Sequence, residues 1–290
     1  MQPGHMERPD RLRAVLDFFG SSGLLNACTV QEAPHVSAEL IQRVHHFVYC
    51  QQLKALSPHA GLTPLDPDTA MGPRTLDAAS RAAGAVVEAT RQVIEGTHLR
   101  AFCAIRPPGH HAESGAAMGF CFYNSVCIAA RYALDELGAA KVAILDFDVH
   151  HGNGTVEIMQ HDPRVLVCSS YQWPFYPGRY DRGNWSNVVL TPLEAGTGSR
   201  SFRQHIEADW IKPLRDHKPD LILVSAGFDA HHADPLGGLN LDEDDFRWIT
   251  QLIVELADEA GHGRVVSALE GGYDLKALAA SAAAHVEALR

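Results

Sequence analysis

Positive charge is scarce in this chain. Lysine and arginine total 24 against 35 aspartates and glutamates, a formal net charge of −11. Sequence-independent nucleic-acid binding needs a basic footprint, so this balance argues against it. It fits a cationic substrate or partner. Paired cysteines are also lacking: the six, at positions 28, 50, 103, 121, 127 and 168, form no CxxC and outline no disulfide framework. They read as buried or free thiols of a reducing compartment, and a cytoplasmic location is expected. No run of eighteen apolar residues occurs, so no membrane-spanning helix is expected. The opening "MQPGHMERPDRLRAVLDFF" has no apolar core of a secretory signal, and none is expected. Nor is there an internal repeat or a linker-like stretch. Residues 1–290 read as a single domain with ample core, 46% of them hydrophobic.

Histidine, by contrast, is abundant, with 17 residues and pairs at 45–46, 110–111, 150–151 and 231–232. Their meaning depends on where they fall. Helical spacing is expected over 7–19, 37–56 and 75–95, with a long Pro/Gly/Asp loop at 57–73. After residue 100 short apolar runs alternate with helical stretches. The runs are "AFCAI" (101–105), "KVAILDF" (141–147), "VLVCSS" (165–170), "NVVLTPL" (187–193), "DLILVSAGF" (220–228) and "RVVSALEGG" (264–272). That alternation predicts an α/β fold with an open, mostly parallel sheet covered by helices on both faces.

The polar clusters stand just after these runs. "RPPGHH", "DFDVHH", "HHADPLGG" and Tyr273 all follow predicted strands, and ligands of open α/β sheets bind at the carboxyl ends of strands. In "DFDVHH", Asp148 and His150 are two apart, so an extended backbone turns both to one side. A carboxylate and an imidazole can then grip one ion. Asp234, an acid in a Gly/Pro loop after another strand, is the best candidate for a third ligand. Two oxygens and a nitrogen leave an open position for water, the pattern of a catalytic zinc site, and Fe²⁺ and Co²⁺ also fit. Asp146 lies so close to the apolar run that burial without a partner would be costly. His45–His46 and His231–His232 read as ordinary loop histidines.

"RPPGHHAESGAAMGFCFYNSVCIAARYA", "VAILDFDVHHGNGT", "SAGFDAHHADPLGGLNL" and "LEGGYDL", in that order, resemble the zinc-dependent histone deacetylase family. The likeness is greatest to its bacterial class II-type members, the acetylpolyamine amidohydrolase or deacetylase-like proteins. "GHMERPDRLRAV" resembles the family's N-terminal stretch, so the resemblance spans nearly the whole chain. It implies the deacetylase-like fold and zinc held by Asp148, His150 and Asp234. It implies His110 and His111 as the paired catalytic histidines, with Asp146 behind the first and Asn153 facing the second. Tyr273 would donate to the substrate carbonyl. Phe120 and Tyr176 would wall a narrow acyl-lysine channel, with Gly119, Gly272 and Asp68 beside it. A structural potassium ion would be held by Asp146, Asp148, His150, Ser169 and Ser170.

The expected activity is removal of acetyl or a related acyl group from lysine side chains of proteins. The alternatives are hydrolysis of acetylpolyamines or another small amide or ester, and a non-catalytic acyl-lysine binder. Intact ligands, both histidines and Tyr273 argue against the last. Homo-oligomers are compatible with the sequence. Two departures stand out. Asn153 replaces an aspartate of class I enzymes, as is usual in class II, so His111 should be less basic. "PGRYDRGNWSN" (177–187) replaces a Gly-rich loop beside Tyr176, so an altered rim is expected. Family members usually have a further strand and a loop before "GHMERP", so either the sheet lacks an edge strand or the start of the chain is incomplete. In the 57–73 loop Asp66 and Asp68 read equally as turn formers around Pro67 and as holders of a substrate backbone or cationic head group.

Overall fold

Strands that are apolar on both faces need cover on both sides, and the six runs find it. The computed structural model describes residues 4–290. In chain order the elements are α1 (Asp10–Ser21), a short 3₁₀ turn (Leu24–Ala27), α2 (Ala38–Gln42), α3 (Phe47–Leu56), β1 (Thr63–Pro64), β2 (Ala70–Met71), α4 (Thr75–Ile94) and β3 (Arg100–Cys103). There follow α5 (Ser125–Asp135), β4 (Val142–Asp146), α6 (Asn153–Met159), β5 (Val165–Gln172) and β6 (Val188–Leu193). The chain ends with α7 (Ser199–His217), β7 (Leu221–Ala226), α8 (Glu243–Glu259), β8 (Val265–Leu269) and α9 (Leu275–Leu289).

Strands β3 to β8 form one sheet in the order β3-β8-β7-β4-β5-β6, with every pair parallel. Every residue of β4, β5, β7 and β8 is buried. One helical layer joins α1, α7, α8 and α9, and another joins α4, α5 and α6. The fold class is therefore the expected one. From β4 the chain steps to β5 on one side; from β7 it steps to β8 on the other. The carboxyl ends of β4 and β7 thus flank the crevice where such sheets bind ligands.

The helix expected over 37–56 is broken into α2 and α3. His45 is the reason. Its ring is buried and bonded at both nitrogens, Nδ1 to the Glu113 carbonyl at 3.0 Å and Nε2 to the Asn124 amide at 2.9 Å. Those two bonds tie the chain to the loop carrying His110 and His111, and an uninterrupted helix could not reach it. The long loop at 57–73 also gains a small antiparallel ribbon, β1 with β2.

Candidate active site

The metal-ligand set forms where the two central strands end. Asp148 and His150 follow β4 and Asp229 follows β7, and one ligand atom from each lies within 4.8 Å of the others. His150 Nδ1 stands 3.1 Å from Asp148 Oδ1 and 3.2 Å from Asp229 Oδ2. The outer oxygens of both acids are held by backbone amides, Asp148 Oδ2 by Gly271 at 2.8 Å and Asp229 Oδ1 by Val149 at 2.9 Å. Asp229 Oδ2 is buried with no hydrogen-bond partner. An orphaned carboxylate oxygen in a buried cluster is costly unless a cation meets it. Two carboxylate oxygens and one imidazole nitrogen suit zinc and fit Fe²⁺ or Co²⁺ as well. Gly227 and Gly271 close the cradle, since a β-carbon at either would overlap the Asp148 or Asp229 carboxylate.

Asp234 is not in this set, which corrects the expected third ligand. Its carboxylate accepts from the backbone amides of Leu236 (3.0 Å), Tyr273 (2.6 Å) and Asp274 (3.1 Å). Three amide donors occupy its oxygens and make it the anchor of the Tyr273 loop. Asp229 directly follows the apolar run 220–228, as Asp148 directly follows the run 141–147, and that matching offset was the readable signal in the sequence.

His110 and His111 lie side by side, ring centroids 4.0 Å apart, in opposite electrostatic settings. His110 Nδ1 pairs with Asp146 Oδ2 at 2.9 Å. Burial alone would lower its pKa, but Asp146, Asp148 and Glu270 outweigh this and raise it well above the usual value. His111 is buried beside His110 and His150, and its pKa falls well below the usual value. Its Nδ1 bonds Asn153 Oδ1 at 2.7 Å. Burial would lift Asp148 as well, yet His110 and His150 hold it below the carboxylate range. Asp229 is pushed up to about 7, first by burial and then by Asp148. A dication between these two acids would neutralise the charge that produces such shifts.

One further acid and one arginine, neither singled out from the sequence, build the surroundings. Glu270, at the end of β8, is buried, and its Oε2 accepts from the amides of Gly109 (2.6 Å) and His110 (3.1 Å). It fixes the loop that presents both histidines. Arg11, fully buried on α1, donates through Nε to the Gly272 carbonyl at 2.6 Å and through Nη2 to the Glu270 carbonyl. Its guanidinium lies 4.8 Å from the centre of the Tyr273 ring. Nothing in "ERPDRLRAV" announces that role.

A cavity of about 550 Å³ leads to this cluster and is lined by Asp68, His111, Gly119, Phe120, His150, Phe175, Tyr176, Leu236 and Tyr273, among others. Phe120 and Tyr176, expected as channel walls, both line this cavity. Phe175, which it did not single out, stacks on His150 with centroids 5.4 Å apart. Gly119 has φ of +54°, and a β-carbon there would overlap the His111 ring, so only glycine fits. The two readings of the acidic loop divide between its acids. Asp66 Oδ1 caps the turn by accepting from the amides of Asp68 and Thr69, while Asp68 faces the cavity. The 177–187 segment is tied down: Arg179 forks onto Glu113 with both bonds at 2.8 Å, and Trp173 Nε1 donates to Asp181 Oδ2 at 3.0 Å. Asp146 and Ser169, expected around a second cation, are register partners across β4 and β5. Five of the six cysteines are buried, all six are free, and none touches the metal-ligand set.

A parallel α/β sheet with a carboxylate–imidazole cluster at its switch point, beside a cavity lined with aromatics, is the layout of a candidate metal-binding active site. The sequence pattern of the histone deacetylase domain matches residues 5–289. The chain is 40% identical to the uncharacterized protein slr0245 of Synechocystis, over 96% of this chain and 91% of that one. It is 36% identical to the histone deacetylase-like amidohydrolase of Pseudomonas aeruginosa, over 93% of this chain and 73% of that one. The crystal structure of the HDA15 HD domain superimposes with a TM-score of 0.92 at 33% identity, covering 98% of this chain and 83% of that one. The chain belongs to the histone deacetylase family, whose members are hydrolases acting on amide bonds.

Proposed function

We propose that this chain removes acetyl, or a related small acyl group, from the ε-amide of lysine in protein or peptide substrates. The observation that carries the reading is the convergence of His111, Tyr273 and the Asp148–His150–Asp229 cluster at the foot of one aromatic-lined cavity. A methylene chain fits between aromatic faces, which leaves the amide at the cluster. Among the described residues lining the cavity Asp68 is the sole acid. A polyamine, charged along its length, would gain from more carboxylates than that, so lysine is the favoured substrate.

Zinc is the proposed ion, held by Asp148, His150 and Asp229; when bound it supplies Lewis acidity, lowering the pKa of water to ~7 and polarising the amide carbonyl. The remaining work belongs to side chains. His111 Nε2, the ring nitrogen left free by the bond to Asn153, takes the proton of the attacking water and returns it to the leaving amine. Conversely, His110 paired with Asp146 carries positive charge beside the developing oxyanion. Tyr273 donates its O–H to that oxygen, a contact of the kind whose loss typically costs ~2.7–4 kcal/mol. Asp234 holds the Tyr273 amide, and Arg11 the carbonyl before it, so the hydroxyl is positioned in advance. A structural potassium ion beside Asp146 and Ser169 is part of the same proposal.

The test is acetate release from acetyl-lysine peptides and from acetylated polyamines, with zinc-loaded and chelator-stripped protein. Turnover of peptides that disappears on stripping and returns with zinc is expected. Faster turnover of polyamines would move the substrate assignment, and no acetate from either with zinc bound would overturn the deacetylase reading.

A further inference from the structure

His111 can act as a base at Nε2 only if its proton sits on Nδ1. An aspartate facing Nδ1 would enforce that by charge, because a carboxylate only accepts. Asn153 cannot. Its amide has one accepting end and one donating end of nearly equal shape, and turned the other way it would present N–H to His111 Nδ1. The ring would then hold its proton on Nε2, facing the substrate, and would be useless as a base. Something must set the amide.

That something is on the far side of Asn153. The Glu113 carboxylate accepts from Asn153 Nδ2 at 2.8 Å, and it is buried, with a side chain 8% exposed. An ionised carboxylate has no proton to give, so it demands the NH₂ end of the amide and sends the carbonyl end to His111. Glu113 is held in place by Arg179, whose Nε and Nη2 donate to its two oxygens, each at 2.8 Å, so that both oxygens act as acceptors. Arg179 stands three residues beyond Tyr176, in the segment where the expected Gly-rich loop is replaced.

Resting on the deacetylase reading, we propose that Glu113, clamped by Arg179, is a positioning residue that fixes the orientation of the Asn153 amide and thereby the tautomer of His111. The chain Arg179–Glu113–Asn153–His111 carries direction and no net proton movement. Its polarity alternates: the guanidinium donates, the carboxylate accepts, the amide donates and then accepts, and the imidazole donates.

This makes a reciprocal test available. In Glu113→Gln the carboxylate becomes an amide of either polarity, so Asn153 can turn. The rate constant kcat on an acetyl-lysine peptide should fall by about 10-fold to 100-fold with KM nearly unchanged. Asn153→Asp alone sets two carboxylates face to face and should fall likewise. In the double variant, Glu113→Gln with Asn153→Asp, glutamine donates and aspartate accepts, the polarity is restored, and kcat should return to within a few-fold of the parent. Structural damage would instead accumulate, leaving the double variant no better than the worse single one.

The second readout needs no substrate. Nitrogen-15 spectra of the zinc-loaded full chain with labelled histidine report which ring nitrogen of His111 carries the proton. The parent should show Nδ1–H, and Glu113→Gln a mixture or the reverse. An unchanged tautomer in folded, zinc-loaded Glu113→Gln, or a double variant without recovery, would overturn the proposal. A tautomer that switches in a protein inert towards acetyl-lysine would uphold it while removing the deacetylase reading.

Discussion

Asp229 and Asp234 are buried acids of one loop, and their surroundings give them different work. Asp229 keeps an oxygen free and turned to His150; Asp234 spends its oxygens on three backbone amides. Asp229→Asn should therefore release most of the bound metal while the protein stays folded. Asp234→Asn should keep the metal but loosen Tyr273, at a cost of about 1–3 kcal/mol in stability and with a loss of kcat. Metal content by elemental analysis, beside thermal midpoints, separates the two, and metal loss from Asp234→Asn alone would reverse the assignment. Asp148, His150, the paired histidines and Tyr273 stood out in the sequence because each comes shortly after an apolar run. The offset from the run 220–228 singles out Asp229 in the same way. What spacing does not carry is the work of Asp234, which meets the amides of a turn more than thirty residues away in sequence. Glu113 was invisible for a similar reason: it has meaning only through Asn153 and Arg179, which are remote from it in sequence.

Among elements, the six strands of the large sheet could be read from their apolar runs, and α4 from its alanine-rich periodicity. The break between α2 and α3 could not, because the bonds that cause it reach Glu113 and Asn124. A glycine in α4 shows the same contrast between local and tertiary rules. Gly84 lies within the helix, where replacement by alanine ordinarily gains about 1 kcal/mol. Here the added methyl would run into the Pro34 carbonyl, where the preceding loop crosses the helix. Gly84→Ala should thus destabilise, by about 1–3 kcal/mol, and a thermal midpoint at or above that of the parent would show that the crossing yields instead.

Over the whole molecule, the core holds histidines that must remain neutral. His285 lies among the Phe102, Phe147 and Phe228 rings, bonded to Thr250 Oγ1 at 2.6 Å and Ser267 Oγ at 2.7 Å. Since Thr250 donates its own hydroxyl to the Phe246 carbonyl, Nδ1 must be the donor and Nε2 the acceptor. Burial lowers its pKa from 6.5 to about 3. Between those values the unfolded chain binds a proton there that the folded chain does not, so stability falls as the pH drops through this window and is unaffected above it. The loss is about 1.4 kcal/mol for each pH unit. Zinc-loaded protein and a His285→Gln variant should accordingly differ most in thermal midpoint near pH 7 and converge towards pH 4. A difference independent of pH would mean that His285 is not held neutral. The fold class was legible because alternation of strand and helix is written locally, whereas a buried histidine and an exposed one look alike in sequence.

Arg11 gives the molecule a sense of time. Its buried guanidinium is made long before its carbonyl acceptors, Gly272 and Glu270, which lie 261 and 259 residues further along the chain. While the chain emerges from the ribosome, α1 has neither those acceptors nor α9, the helix it packs against. Helix α1 must therefore wait for its partners until the residues of β8 and α9 have been delivered. The same closure sets the Gly272 carbonyl and the Tyr273 ring in place, so the pocket is completed only once residues 270–273 have emerged, and a nascent chain interrupted before residue 270 carries a charged side chain with nowhere to go.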